Sequence, residues 1–279
     1  MMQTRLIRKG AKNLGSFLLN VPILAIILVP LLYTLFISVM PASEIYKNRV
    51  IPSAIQFSNY VRAFTNPTYP FLRFILNSFI VSTSVMLGQM LTCSMAAFAF
   101  AFLNFRGKKL IFIMILATMM VPGEATIIAN YLTISSLNWR DSYQALIMPF
   151  LSSAMGIFLL RQNYLTFAKE LHEAARLDGC SNARFLASIV MPLSRPALGA
   201  LGAYVFLNTW NQYMWPLLVT DTSAHRTVQI GISMLYDVDA EALGLMMAGV
   251  IIVIVPSLSI FIFMQKQLIN GLMAGAVKG

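Results

Sequence analysis

Six mostly apolar stretches, from about 17–40, 74–103, 110–132, 143–160, 197–219 and 243–264, alternate along the chain with short polar ones. Each is long enough to carry a helix across the roughly 30 Å hydrocarbon layer of a bilayer. Backbone groups inside that layer must bond to one another, so the stretches predict helices. The expected fold is therefore an all-α membrane protein with six transmembrane helices. Residues 1–16 form an N-terminal segment and residues 265–279 a C-terminal tail. The mixed stretch 41–72, with Pro52, Pro67 and Pro70, predicts an external segment holding one or two short helices.

Composition supports a polytopic chain. Of 279 residues 58% are hydrophobic and 11% charged, where a soluble domain carries about a quarter charged residues. Arg5, Arg8, Lys9 and Lys12 precede the first apolar run in the layout of a secretory signal. That run is too long for a signal and predicts an uncleaved first span, with Pro22 and Pro30 as points of bending. The basic turn Asn104–Lys109 and the loop from Arg161 to Arg195 then lie in the cytoplasm, as do both termini. The connection at Ser135–Asp141, with Trp139 as an interfacial anchor, lies outside, and so does Thr220–Ala242, where Asp221, Asp237, Asp239 and Glu241 face Arg226. This topology leaves fourteen Lys and Arg inside against six outside, in keeping with the positive-inside rule.

The net charge of +10 thus reads as topology, and no dense basic run with interleaved aromatics predicts nucleic-acid binding. Cys93 and Cys180 fall at different depths and predict no disulfide. No Cys/His cluster has metal-ligand spacing, and no catalytic constellation is expected. Gly107-Lys108-Lys109 lacks the upstream glycine and the hydroxyl residue of a phosphate loop, so this chain is not expected to hydrolyse ATP.

The loop between spans four and five carries the most specific pattern. Leu171, Ala174 and Ala175 fall at i, i+3 and i+4 and are expected to share one face of a short helix, with Lys169, Glu173 and Arg176 pointing elsewhere. Gly179 predicts its end, since glycine takes the left-handed conformation without a steric cost. Small residues there let another protein's groove approach closely.

The order Glu173-Ala174-Ala175, three residues, Gly179, nine residues, Ile189-Val190-Met191-Pro192 resembles the EAA loop of bacterial ATP-binding-cassette importer permeases, with Met191 where leucine is usual. Phe158–Gln162, Pro192–Pro196, Trp210–Pro216, Met120–Gly123 and the terminal Gly271–Gly279 are similar to the carbohydrate branch, in particular the maltose-type second permease. The resemblance implies a six-span permease domain over 17–264 with a cytoplasmic coupling helix between spans four and five. It implies ATPase coupling through Glu173, Ala174, Ala175, Arg176, Asp178, Gly179 and Pro192. It further implies a second homologous permease, two ATPase subunits that hold ATP and Mg, and an extracytoplasmic sugar-binding protein, in a bacterial cytoplasmic membrane. No cofactor is expected on this chain. By the same resemblance the tail contacts the ATPase subunits, and Thr220–Ala242 contacts the binding protein.

Candidates for the substrate path are Glu124, the one acidic residue inside an apolar run, with Asn130 and Tyr131 in the third span and Asn208, Trp210, Asn211, Gln212 and Tyr213 in the fifth. Amides, hydroxyls and aromatic faces suit a sugar. The same groups serve as interhelical glue or interfacial anchors, and Glu124 suits a structural role equally well. The expected cargo is a sugar, with a glycerol phosphodiester or polyol as the alternative in the same machine class. A stand-alone secondary carrier is the rival from another class. It is disfavoured because a proton-driven carrier needs several buried titratable groups.

Overall fold

A computed structural model describes residues 2–47, 49–65, 69–235 and 240–273, the side chains of 2–19, 23, 169, 240–242, 264 and 266–273 excepted. Every regular element among them is helical. The first, α1 (Met2–Val39), runs through Pro22 and Pro30 and is apolar enough to cross a membrane over Asn20–Val39. Two short helices follow, α2 (Ala42–Ile45) and α3 (Ser58–Thr65), in the segment where one or two were expected. Next, α4 (Phe71–Phe102) spans 32 residues unbroken.

The third apolar run is not one straight helix. It forms α5 (Lys108–Ala117), a 3-10 turn at Thr118–Met120, and α6 (Gly123–Ser136), with a 101° bend between the two halves. Pro122 is the cause. It lacks an N–H to continue the ladder, and it holds Val121 extended at φ −88°, ψ 117°. The fourth run likewise breaks into α7 (Tyr143–Ile147) with a 3-10 turn to Phe150, then α8 (Ala154–Tyr164), bent by 43°.

The stretch between the fourth and fifth runs holds α9 (Lys169–Leu177), α10 (Asn182–Phe185), a wide π-turn at Leu186–Val190 and α11 (Met191–Leu193). An 83° bend at Ser194 leads into α12 (Arg195–Trp210). The fifth run is therefore shorter than expected: α12 ends at Trp210, and α13 (Met214–Val219) follows a break. Last come α14 (Val228–Met234) and α15 (Ala240–Met273), which is apolar over Leu243–Phe263. Among the described residues three helices are long and apolar enough to cross a membrane alone, with up to six spans if each bent pair counts as one.

The chain divides into two compact units. One comprises Met1–Tyr69 and Ile232–Val253. Inside it, Ser38 Oγ meets the Tyr60 hydroxyl at 2.8 Å, Asn59 Nδ2 donates to Ser38 O at 3.1 Å, and Ile37, Met40 and Ala63 are buried.

The other unit comprises Pro70–Gly231 and Ile254–Gly279. There α4 is the spine against which α8 and α12 pack, through Val81, Val85, Cys93, Ala97, Leu160, Leu201 and Val205. Both cysteines are free thiols. Large apolar side chains point outward elsewhere, as Leu72, Leu76, Phe79 and Leu91 do on α4, as expected of a surface solvated by lipid rather than water.

Polar residues on the buried side of α4 hold the bent fourth run in place. Gln89 Nε2 donates to Phe150 O at 2.7 Å, the Thr92 hydroxyl donates to Leu151 O, and Ser153 Oγ donates to Gln89 Oε1 at 2.9 Å. Phe150 O and Leu151 O are carbonyls that the bend strips of helical partners, and Ser153 fixes the amide of Gln89. In an apolar layer an unmet carbonyl costs several kcal/mol, so the clamp is what makes the bend tolerable.

Candidate functional site: the helix at 169–177 and the loops at 137–142 and 220–227

The helix α9 starts after Ala168, which is extended, and stops with a defined hydrogen-bond pair. Gly179 takes φ +76°, its N–H donates to Arg176 O at 3.0 Å, and the Cys180 N–H donates to Ala175 O at 2.9 Å. This is the glycine-terminated helix end that the sequence predicts. A Cβ at Gly179 would meet nothing within 4 Å, so the constraint there is backbone conformation rather than space.

The faces of α9 separate by burial. Of its described side chains, His172 and Ala175 are buried, while Leu171 (38% exposed), Ala174 and Leu177 (89% exposed) turn outward with Glu173, Arg176 and Asp178. On the line of Leu171, Ala174 and Ala175 the first two are thus exposed and Ala175 alone is buried. The ring of His172 fits an aromatic pocket, and this selects the i, i+3 line through 172 and 175 as the inner one. Pro192, half-buried, stands in the second position of α11, two residues before the 83° bend.

The candidates of the third and fifth runs reach neighbouring elements, since α6 packs against α13. Glu124 is exposed in the first turn of α6, beside the Pro122 break, where a helix N-terminus favours a carboxylate. Asn130 is exposed, and the half-buried Tyr131 lies under Arg140, whose guanidinium carbon is 5.5 Å from the ring centroid. Asn208, Asn211 and Tyr213 are exposed and Gln212 is half-buried. Asn211 donates to Leu207 O at 2.8 Å and accepts from Gln229 Nε2 at 3.3 Å.

Trp210 is a correction. It is 1% exposed and stacked on Phe206 with ring centroids 5.8 Å apart, so it belongs to the core and offers no face to a solute. Trp215 is also core, its Nε1 donating to Ala145 O at 3.0 Å.

Between the loops at 137–142 and 220–227 lies a polar cluster that sequence reasoning missed. Asp141, at φ 52°, accepts the Asp221 and Thr222 N–H groups at 3.1 and 3.2 Å and the Thr222 hydroxyl at 2.6 Å. His225 Nδ1 lies 3.5 Å from its carboxylate. Arg140 forks onto both oxygens of Asp221 at 2.9 Å. Asn77, on α4, donates to Ala224 O and Arg226 O, both at 2.9 Å, and accepts from the Tyr143 hydroxyl at 2.7 Å. Partial burial pushes the Asp141 carboxyl upward, yet the hydrogen bonds from Thr222 and Asp221 and the nearby His225 ring outweigh it and hold the group below the usual carboxylate range. Of the acidic residues expected in this connection, Asp237 and Asp239 and the side chain of Glu241 lie outside the described residues, as does the terminal stretch 274–279.

A model of the inner membrane component of binding-protein-dependent transport systems matches residues 88–267. The chain belongs to that family. It is similar to the arabinooligosaccharides transport system permease protein AraQ of Bacillus subtilis, with 32% identity covering 90% of this chain and 91% of the relative. It is also similar to the sn-glycerol-3-phosphate transport system permease protein UgpE of Rhizobium meliloti, 32% identical over 95% and 97% of the two chains, and to UgpE of Escherichia coli, 35% identical over 89% and 92%. In fold it resembles a chain in the crystal structure of a bacterial ABC transporter that imports the acidic polysaccharide alginate. The TM-score is 0.82 at 20% identity, covering 91% of this chain and 94% of that one. The chain is a membrane component of an importer, a transport subunit and not a catalytic one. The stand-alone carrier thereby gives way to a multi-subunit machine.

Proposed function

We propose that this chain is a six-span permease subunit that couples ATP hydrolysis on partner subunits to sugar import. The observation that carries the reading is α9. It ends on Gly179 and presents Leu171, Ala174 and Leu177 outward together with Glu173, Arg176 and Asp178. Exposed leucines beside charges on a polar loop suit burial in another protein's groove. Glu173, Ala174, Arg176, Asp178 and Gly179 form the ATPase-facing surface, and Ala175 and Pro192 fix its placement.

In this reading a second homologous permease completes the membrane unit, and two ATPase subunits hold ATP and Mg below it. An extracytoplasmic binding protein delivers the solute from above, and both termini of this chain are cytoplasmic. Closure of the ATPase subunits moves α9, and the bent spans exchange inward-open for outward-open arrangements.

The path candidates that remain, Glu124, Asn130, Tyr131, Asn208, Asn211, Gln212 and Tyr213, carry one negative charge and no positive one. The nearby Arg140 is forked onto Asp221. Amides and tyrosines without a cation suit a neutral oligosaccharide over a phosphate ester, whose charge calls for a fixed cation.

Affinity purification of the tagged chain from its native membrane tests the machine. Recovery of an ATPase subunit and a second permease is expected, with the ATPase lost in Gly179→Pro; recovery of this chain alone overturns the reading. Uptake of labelled arabino-oligosaccharide against labelled sn-glycerol 3-phosphate tests the solute class, and faster uptake of the phosphate overturns the neutral-sugar assignment.

A further inference from the structure

The grip that holds α9 to the rest of the chain is narrow. Of the described side chains on that helix only His172 and Ala175 are buried, and an alanine methyl is too small to hold a helix in register. The His172 ring sits 4.8 Å from Phe185, 5.3 Å from Phe102 and 6.0 Å from Phe98, edge-on to the last at 89°. Those three rings also touch one another, at centroid separations of 5.2 to 6.2 Å. Phe98 and Phe102 are the last turns of α4, the spine of its unit, and Phe185 closes α10.

A hydrogen bond adds direction. His172 Nε2 lies 3.1 Å from Asn182 Oδ1. A carboxamide oxygen only accepts, so Nε2 carries the proton and donates. Asn182 opens α10, whose start is fixed by Ser181 Oγ accepting the Arg184 N–H at 3.3 Å. One side chain therefore fastens α9 both to the end of α4 and to the start of the element leading into the fifth span.

We propose that His172 is a positioning residue that transmits displacement of α9 into α4 and α10. The inference rests on the coupling role of α9 given above. Close-packed aromatic contacts move together, so a shift of α9 drags the Phe98/Phe102 end of α4 with it. Without the ring, α9 still meets its partner but slides over the core instead of moving it.

The test uses the complete transporter purified with its ATPase subunits. Met214→Cys in a Cys180→Ser background reports opening through its rate of labelling by a membrane-impermeant maleimide, measured without nucleotide and with ATP trapped by vanadate. The parent complex is expected to change its labelling rate several-fold. In His172→Ala the rate no longer responds, while ATPase subunits still co-purify and hydrolyse ATP. His172→Phe, which keeps a ring among Phe98, Phe102 and Phe185, restores most of the response, His172→Gln, which keeps only a donor to Asn182, does not, and Asn182→Ala diminishes it. A full response in His172→Ala overturns the proposal, as does loss of the ATPase subunit from that variant, which would make the ring part of docking. Absence of an ATPase subunit from the parent complex, by contrast, overturns the coupling reading itself and the inference with it.

Discussion

The loops at 137–142 and 220–227 and the stretch around α9 solve opposite problems. In the two loops the carboxylates, the Arg140 guanidinium and the neighbouring buried amide are met within the chain: Asp141 takes three hydrogen bonds, Asn77 three more, and Arg140 pairs with Asp221. On α9, Glu173, Arg176 and Asp178 face outward, and the helix is fastened from behind by an aromatic pocket. A self-satisfied polar surface holds its shape unaided. One that keeps its charges and leucines outward is built to be completed by something else.

The largest effect expected from breaking this contrast is at the end of α9. Gly179→Pro replaces φ +76° by about −65° and deletes the donor to Arg176 O. Forcing the backbone costs about 1–3 kcal/mol, and the misdirected exit should lower transport about tenfold or more, since such displacements cost orders of magnitude in assembled machinery. Uptake, with membrane insertion as control, checks it. Ala175→Trp should do the same by lifting the helix from its pocket.

Next comes the outer cluster. Asn77→Leu removes two donors and an acceptor from the buried side of these loops, and at about 1–3 kcal/mol per lost buried pairing it should lower the thermal midpoint of the detergent-solubilised complex by several degrees. An unchanged midpoint would mean that these loops are not held by Asn77.

A smaller effect isolates the charge on Asp141. Its folded pKa lies below the unfolded one, so its contribution is complete above the ordinary value of roughly 3.9 and disappears as pH falls through the depressed value. Amide exchange at Asp221 and Thr222 should accelerate as acid is added. In Asp141→Asn, which tolerates the positive φ, exchange should start faster and depend less on pH. The smallest change is Arg140→Ala: the pair with Asp221 is 42% and 57% exposed, and such pairs contribute about 0–1 kcal/mol. A midpoint shift comparable to that of Asn77→Leu would show that the fork, rather than Asn77, organises the loops.

How much of this was legible in the chain varies with the range of the interaction. The apolar runs, the two short helices after the first span and the glycine at the end of α9 are local and could be read directly. Pro122 was visible, but the 101° bend depends on the run continuing as α6 beyond it. The inner face of α9 was not legible, because a histidine does not announce itself as an apolar side chain; only the rings of Phe98, Phe102 and Phe185 make it one. Trp210 was misread in the opposite sense, as its polar neighbours suggested a path while its own indole went to the core. Gln89 and Thr92 carried no signal, because their partners are carbonyls freed by a bend far along the chain. Asp141 and Thr222 are 81 residues apart and meet only once the helices between them have packed.

The end of α9 also has a bearing on which changes this stretch can accept. Its two closing hydrogen bonds count residues: they run from Gly179 back to position 176 and from Cys180 back to position 175. Side chains at Leu177 and Asp178 take no part in either, so substitutions there leave the closure intact. Insertion or deletion of a single residue between Ala175 and Gly179 would swing the exit by about 100°, the angle one residue subtends on a helix, and aim Asn182 away from His172. The segment is thus permissive in spelling and strict in length.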